Sequence, residues 1–299
     1  MMKRVISSFL IKRYDPHFIE THMKNYKRYR LLCILFSLFF PLSIVLSVHG
    51  EASTLYERSL KNFQDNVKQL SGKDFVFVVL GDSRDNAAIY KKSLAIAATF
   101  NPLFILHTGD LSNKGSKKEL DHFLEIVQTT IPDIPLFVIV GNHEIVKENK
   151  NIFKKIIGPL DYVLDSAKLD TRVIVLDNAD YTLKPQQLDY LRQQLANKRS
   201  LTFVAMHIPP KTGRWTWHAF TEGSSDLMQI LSDKKVTLAF CGHIHQFDED
   251  EINGVKYIIT GGAGAPLNRW FFPGKPVYHI IVVRVKNGAV SYELVKIED

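Results

Sequence analysis

Polar side chains with metal-binding atoms follow five apolar runs along the chain. One run, 136–140, stops at Gly141, and the three residues after it are polar. An apolar strand that ends in this way is typical of an active-site loop at the carboxyl end of a strand. The other runs, which also end in such residues, are 75–80, 103–106, 201–206 and 236–241. The donors that follow the five runs are Asp82, Asp110, Asn142, His207, His243 and His245.

These donors are carboxylate or amide oxygens and imidazole nitrogens. Such a mixed set suits divalent Mn, Fe, Zn, Co or Ni, and it argues against a structural zinc site built from thiolates. Two such ions that share a carboxylate and a bridging hydroxide can activate that water and hold the oxygens of a phosphoryl group in line. His143 is not needed as a ligand. It is positioned to protonate a leaving oxygen, with Glu144 as a candidate group to orient it.

Each motif by itself has a structural alternative. Gly-Asp after a strand is usually a turn, and a single histidine on an apolar strand is usually a core residue. Gly242-His243-Ile244-His245 is more specific because it places two imidazoles on the same side of an extended segment. Five motifs in series, each at the end of a strand, favour a metal site.

The segments between the apolar runs predict the elements that position these residues. Helices are predicted at 87–100 and 117–130, so the first three runs form a βαβαβ unit with parallel strands and with their loops at one edge. Further helices are predicted at 149–157, from Pro185 to Leu195, and at 224–232. The chain then changes to short β-runs separated by Asn-Gly pairs, which are strong hairpin signals. The fold class is therefore α/β.

The first 73 residues are predicted to lie outside the catalytic domain, which spans 74–299. Residues 1–30 are basic, and 31–49 form an apolar segment that is either a cleaved signal peptide or a retained transmembrane anchor. Translation from Met23 gives the layout of an ordinary signal peptide, and with translation from Met1 the basic residues hold the N-terminus inside and leave the rest of the chain outside. Each exports the domain, to a membrane-anchored, periplasmic or extracellular location. Residues 50–73 are predicted to form a connecting helix that either packs on the domain or only links it to the membrane.

Charge argues against nucleic acid as a partner, and cysteine content excludes a disulfide within the domain. The net charge is +7, but the first 52 residues contain eight of the 38 Lys and Arg residues and three of the 31 acids. The remainder therefore has 30 basic and 28 acidic residues, a balance that does not favour nucleic acid as a partner. Of the two cysteines, Cys33 lies in the apolar segment and Cys241 ends a buried run, so no disulfide forms within the domain.

The five motifs together resemble those of the calcineurin-like metallophosphoesterase superfamily, over about residues 75–297. The resemblance implies a four-layer α/β/β/α sandwich of two mixed sheets and a site for two divalent transition metal ions. It also implies that Asp110 bridges the ions, that Asp82 and His245 bind the first, and that Asn142, His207 and His243 bind the second.

One residue departs from the pattern of the superfamily. Many members have a histidine ligand two residues after the aspartate of the first motif, where this chain has Arg84. A guanidinium has no lone pair for a metal, so water or substrate must complete the first site. Arg84 is therefore predicted to hold a phosphate oxygen, which suits a phosphomonoester or a diphosphate. The alternative is an arginine that is paired with Asp85 or another carboxylate.

The segment 211–218 follows His207 and is rich in aromatic and basic residues. Trp215 and Trp217 are predicted to bind substrate in a lid, with packing on the fold as the alternative. The function predicted from the sequence is a phosphohydrolase that acts on a small phosphorylated substrate. The alternatives are a phosphodiesterase or a lipid-diphosphate hydrolase at the membrane, and a non-catalytic binding protein with a vestigial metal site.

Overall fold

A computed structural model describes residues 53–147, 149–197, 199–269 and 273–298. The basic segment 1–30 and the predicted signal peptide or anchor at 31–49 lie outside the described residues. Among the residues that are described, no helix has both the length and the apolar character needed to cross a bilayer.

The described chain contains eleven strands and six α-helices. The strands are β1 Phe75–Leu80, β2 Ile105–His107, β3 Leu136–Val138, β4 Tyr162–Ser166, β5 Thr171–Val175, β6 Leu201–Ala205, β7 Leu238–Cys241, β8 Phe247–Ile252, β9 Val255–Thr260, β10 His279–Lys286 and β11 Ala289–Lys296. The helices are α1 Leu55–Gln69, α2 Ala87–Thr99, α3 Lys117–Thr130, α4 Lys150–Ile156, α5 Pro185–Ala196 and α6 Ser224–Asp233.

The strands form two mixed sheets. The first has the order β11-β10-β1-β2-β3, in which β1, β2 and β3 are parallel and β10 and β11 form an antiparallel hairpin. The second has the order β4-β5-β6-β7-β9-β8, in which β5, β6, β7 and β9 are parallel. Its two edge strands, β4 and β8, run antiparallel to their neighbours.

The sheets pack face to face, and helices cover both outer faces. Phe77 of the first sheet contacts Phe203 and Phe240 of the second, with ring centroids 5.1 and 6.1 Å apart. Helices α2, α3 and α4 pack on the outer face of the first sheet, and α5 and α6 pack on the outer face of the second. The predicted four-layer α/β/β/α sandwich of two mixed sheets is confirmed.

Burial on both faces explains the unbroken apolar runs. Along β1, Phe77 and Val79 point into the core between the sheets, while Val78 and Leu80 point toward the helices. A strand that is covered on both sides has no solvent-facing position for polar residues. The polar residues of these segments are therefore confined to the loops at the strand ends.

Helix α1 packs on the domain. Thr54 and Glu57 form a capping box at its start. Phe63 then contacts Phe104 and Phe137 edge-on, at 5.6 and 5.9 Å between ring centroids. Of the two arrangements considered for 50–73, the described part of the segment adopts the packed one.

Candidate metal centre

The loops after the parallel strands of both sheets meet at one edge of the sandwich. Hydrogen bonds between the loops of the two sheets hold these loops together. The Nδ1 atom of His207, after β6, lies 2.8 Å from the carbonyl oxygen of Thr108, after β2. The backbone N–H of His243, after β7, donates to both carboxylate oxygens of Asp82, after β1, at 3.1 and 3.0 Å. The two sheets therefore build one site between them.

The six predicted donors lie together at this edge. Five of them form two groups that share Asp110, and the ligand atoms in each group lie within 4.8 Å of one another. One group is Asp82, Asp110 and His245, and the other is Asp110, His207 and His243. The Oδ1 atom of Asn142 lies 3.0 Å from Nε2 of His207, so Asn142 adjoins the second group.

The backbone of the site is strained and closely packed. Asp82, Asp110 and His243 have φ angles of 57°, 56° and 68°, in the left-handed region that non-glycine residues rarely adopt. A Cβ atom at Gly141 would lie 2.2 Å from Oδ1 of Asp110, so only glycine fits there. Strain of this kind is common where loops hold ligands or catalytic groups.

The carboxylates of the site are deeply buried. Asp82 and Asp110 have relative exposures of 0% and 1%. Burial raises the pKa of Asp82 well above its usual value. Burial also opposes ionisation of Asp110, but the charge and hydrogen bond of His207, together with those of His143, outweigh it and lower the pKa of Asp110. Buried carboxylates require a compensating cation, and a metal ion bound among these residues would provide it.

Two of the three imidazoles among the predicted donors are neutral and have nitrogen lone pairs to offer. Burial lowers the pKa of His245 to about 4 and that of His243 well below its usual value, so both rings are neutral at pH 7. Nδ1 of His245 lies 2.8 Å from the carbonyl oxygen of Pro266, which leaves Nε2 to face Asp82. Nδ1 of His243 is buried and has no hydrogen-bond partner among the described residues. Burial disfavours a charge on His207, but the carboxylates of Asp110 and Asp82 outweigh burial and raise the pKa of His207 to about 9, so a metal ion bound by His207 would displace a proton. The oxygen and imidazole donors present fit divalent transition metal ions, whose binding releases such protons.

His143 lies beside Asp110, at the exposed edge of the site. Its Nδ1 atom lies 2.8 Å from the backbone oxygen of Asn113 and therefore carries the proton. Its Nε2 atom lies 3.8 Å from Oδ2 of Asp110. The predicted orienting role of Glu144 is wrong, because the hydrogen-bond partner of the His143 ring is Asn113.

Glu144 instead holds the loops of the second and third motifs together. Its carboxylate is fully buried and accepts hydrogen bonds from the backbone N–H groups of Gly141, Asp110, Leu111 and Ser112, at 3.0–3.1 Å. The Ser112 hydroxyl donates to the same carboxylate. Burial, with the charge of Asp110, raises the pKa of Glu144 to about 7 against the opposing effect of these donors. Glu144 therefore sets the backbone that presents Asp110 and Asn142.

We expect Glu144→Ala to lower the free energy of unfolding by roughly 4 kcal/mol, because four buried N–H groups lose their acceptor. It should also weaken metal binding about 10- to 100-fold, the usual effect of losing a group that orients metal ligands. Glu144→Gln keeps one acceptor oxygen, so we expect about half that loss of stability. Urea unfolding of the metal-free protein and calorimetric titration with Mn²⁺ would measure both effects. Equal stability of all three proteins would contradict this role.

Arg84 borders the first group of donors. Its Nη1 atom donates to Asp85 at 2.5 Å and to Asn113 at 3.0 Å, so the predicted alternative of a pair with Asp85 is present. Its Nε atom is buried, has no hydrogen-bond partner in the described part of the chain, and lies 3.9 Å from Oδ2 of Asp110. The guanidinium is thus held at the edge of the site, and its Nε–H group makes no hydrogen bond in the described part of the chain.

The two tryptophans of the segment 211–218 lie in different environments. Trp215 is fully buried, and its Nε1–H donates to the buried carboxylate of Asp248 at 2.8 Å. Trp215 therefore packs on the fold, and the predicted contact with substrate does not apply to it. Trp217 is 74% exposed. The next residue, His218, lies with its ring centroid 5.6 Å from that of His243, so the exposed tip of the segment borders the site.

A family model for calcineurin-like phosphoesterases matches residues 48–247, which include all five motifs. The chain belongs to the calcineurin-like phosphoesterase family. The predicted superfamily is thus confirmed, and the two mixed sheets with their buried cluster of donors are the architecture of a phosphoesterase of this family.

Curated relatives match about half of the chain. A probable glycerophosphodiester phosphodiesterase of Arcobacter nitrofigilis is 29% identical over 48% of this chain and 57% of its own length. A probable cyclic nucleotide phosphodiesterase of a Synechococcus strain is 28% identical over 49% of this chain and 59% of its own length. This chain therefore spans less than two thirds of the relatives that it matches.

Among solved structures, the purple acid phosphatase PPD1 from yellow lupin superposes with a TM-score of 0.58. The match has 15% sequence identity and covers 74% of this chain and 52% of the lupin chain. At this level of identity the superposition shows a shared fold.

The structure also brings in residues that the motif pattern did not predict. Asn178 and Tyr181 lie in the turn after β5, and Tyr181 contacts His243 directly, with 2.8 Å between its hydroxyl and Nε2. The signal was present in the sequence, because the apolar run 173–176 ends in Asp177-Asn178 as the other runs end in their donors.

Proposed function

We propose that the chain is a metal-dependent phosphoesterase that uses two divalent transition metal ions. One observation carries the proposal, namely that six donors from five separated segments lie at one edge. Five of them form two groups that share Asp110, and Asn142 adjoins the second group. Asp82, Asp110 and His245 would hold one ion, and Asp110, Asn142, His207 and His243 the other. Bound there, the ions would acidify a water molecule and neutralise charge on the phosphoryl oxygens. Mn, Fe, Zn, Co and Ni all suit this donor set.

His143 would protonate the leaving oxygen. Because the backbone oxygen of Asn113 holds the Nδ1 proton, Nε2 is the nitrogen that can deliver a proton at the site. Its Nε2 atom lies 3.8 Å from Oδ2 of Asp110, which supports a role for His143 beside a phosphoryl group that metal ions would hold there. The ring is partly exposed, with 29% of the side chain accessible, so it can exchange protons with solvent.

Arg84 would bind a non-bridging phosphate oxygen. Asp85 and Asn113 hold one end of the guanidinium, which reduces the entropy lost when it binds an anion. A monoester dianion has one more anionic oxygen than a diester for Arg84 to bind. We therefore propose a small phosphomonoester as the preferred substrate, with the exposed Trp217 at the rim of the site as a further contact.

A second candidate is a phosphodiester. Two relatives of this chain carry phosphodiesterase names, and each matches about half of the chain. Turnover of nitrophenyl phosphate and bis(nitrophenyl) phosphate by the Mn²⁺-loaded protein would decide between the two. Faster turnover of the monoester would support the first candidate, and faster turnover of the diester the second. Metal-loaded protein that hydrolyses neither ester would support a non-catalytic binding role.

We expect Arg84→Gln to lower kcat/KM for the monoester about 10- to 100-fold, because a charged hydrogen bond to phosphate contributes roughly 1.5–3 kcal/mol. The loss for the diester should be smaller, since the diester has fewer anionic oxygens. Arg192→Gln, on the exposed face of α5, is the matched control. Equal losses for the two esters would show that Arg84 does not recognise the extra charge.

We further propose that the domain is exported. The basis is the sequence alone, in which the apolar segment 31–49 follows Lys24, Lys27, Arg28 and Arg30. Export would place the site on the outer side of the cytoplasmic membrane, anchored or released. Cell fractionation with an antibody against the domain would test this.

A further inference from the structure

The turn after β5 contributes to the candidate metal centre as a sixth strand-end segment. Asn178 in this turn is fully buried, and its side-chain oxygen accepts from the backbone N–H groups of His207 and Ile208, both at 3.1 Å. Its side-chain nitrogen donates to the carbonyl oxygen of Ile208 at 2.7 Å. The turn is therefore fixed to the backbone that presents His207.

Tyr181 extends from the same turn to His243. Its backbone N–H donates to the carbonyl oxygen of Asn178 at 2.9 Å, and its φ angle of 65° is in the left-handed region. Such a conformation costs about 1–2 kcal/mol for a residue with a side chain. The strained turn directs the phenol hydroxyl to within 2.8 Å of Nε2 of His243, and the rings meet edge-on at 5.3 Å.

The hydrogen bond between these side chains has two arrangements. If the Tyr181 hydroxyl donates to Nε2, the ring proton of His243 must sit on Nδ1. That atom is buried and has no partner among the described residues, and a buried donor without an acceptor costs about 1–3 kcal/mol. If the Nε2–H group of His243 donates to the phenol oxygen, Nδ1 keeps a lone pair and needs no acceptor. The second arrangement is the one without a penalty.

We propose that Tyr181 is a positioning residue of the metal centre, which accepts the Nε2–H of His243 and so presents Nδ1 as its metal-binding atom. This inference rests on the proposed function. It assigns Tyr181 the part that a carboxylate or a backbone carbonyl usually has beside a metal-bound histidine. The partner is neutral here, so it fixes the tautomer and the ring orientation without adding negative charge.

The first test needs no variant. In the full-length, metal-free protein labelled with ¹⁵N-histidine, long-range proton–nitrogen spectra distinguish the two tautomers of each ring. The resonances of His243 are identified by their loss in His243→Gln. We expect the tautomer with the proton on Nε2. A proton on Nδ1 of His243 would overturn the proposal.

The second test uses Tyr181→Phe, which keeps the ring and removes the acceptor. We expect the affinity for Co²⁺, measured by competition with a chelator, to fall about 10- to 100-fold. The ring of His243 should become a mixture of tautomers, while the midpoint of urea unfolding stays near that of the wild type. Tyr190→Phe, on α5, is the matched control and should change the Co²⁺ affinity by less than about twofold. Unchanged affinity, or reduced affinity with the wild-type tautomer, would overturn the proposal.

These readouts do not depend on hydrolysis. A protein that shows the expected tautomer and the expected loss of Co²⁺ affinity, but hydrolyses no phosphate ester, would contradict the proposed function and leave the role of Tyr181 in place. An active phosphoesterase whose His243 carries its proton on Nδ1 would support the proposed function and contradict the role of Tyr181.

Discussion

Asp110→Asn is expected to lower kcat/KM for a phosphate ester by at least ~1,000-fold, since metal ions contribute several kcal/mol to stabilising a phosphoryl transition state. Asp110 is the one residue common to both groups of donors. Asparagine has nearly the same size, but it is neutral and has only one oxygen. It therefore has no negative charge to offset two cations. Its single oxygen also cannot replace the two carboxylate oxygens that Asp110 offers to the two groups of donors.

The metal content should fall with the activity. We expect elemental analysis after dialysis to show that the variant has lost at least one equivalent of metal. Its circular dichroism spectrum should match that of the wild type. Asp226→Asn, an exposed carboxylate in the first turn of α6, is the control and should change kcat/KM by less than about twofold. An Asp110→Asn protein that keeps its metal and its activity would show that the shared carboxylate is not part of the reaction.

His143→Gln is expected to have an effect that depends on the leaving group. For an alkyl phosphate, whose alkoxide is a poor leaving group, kcat/KM should fall roughly 100- to 10,000-fold, the usual contribution of a general acid. For nitrophenyl phosphate the fall should be within about tenfold, because a nitrophenolate leaves without a proton. Measuring both substrates with wild type and variant gives the comparison.

The metal content of His143→Gln should stay at the wild-type value, since the ring is not needed as a ligand. His122→Gln, an exposed histidine on α3, is the matched control and should behave as the wild type with both substrates. If His143→Gln slowed the alkyl and aryl esters equally, His143 would act on the phosphoryl group or on the metals, and its assignment as the acid would be wrong.

Local pattern predicted the α/β class and the convergence of donors at one edge, while the four-layer sandwich was predicted from the family resemblance. Strands that are buried on both faces are continuous apolar runs, and their polar residues collect where the strands end. Parallel strands place those ends at one edge. The same rule applied to the run 173–176 would have included Asn178. Tyr181 lies further along that turn, and its contact with His243 depends on a left-handed backbone that no sequence spacing reveals.

Three side chains took roles that depend on partners far away in the sequence. Trp215 is buried because Asp248, on β8, accepts its indole N–H. Glu144 binds the backbone of the second motif, more than 30 residues before it, because the two loops meet only in the folded chain. Arg84 is held by Asp85, its neighbour in sequence, but also by Asn113. The type of each residue was informative, but its partner was decided by tertiary structure.

The most direct test of the proposed function is anomalous X-ray scattering from crystals of the Mn²⁺-loaded protein. We expect two anomalous peaks, one on each side of the Asp110 carboxylate. The first should adjoin Asp82 and His245, and the second Asn142, His207 and Nδ1 of His243. Crystals soaked in excess Mn²⁺ that show no peak beside Asp110 would contradict the metal centre and, with it, the proposed hydrolysis.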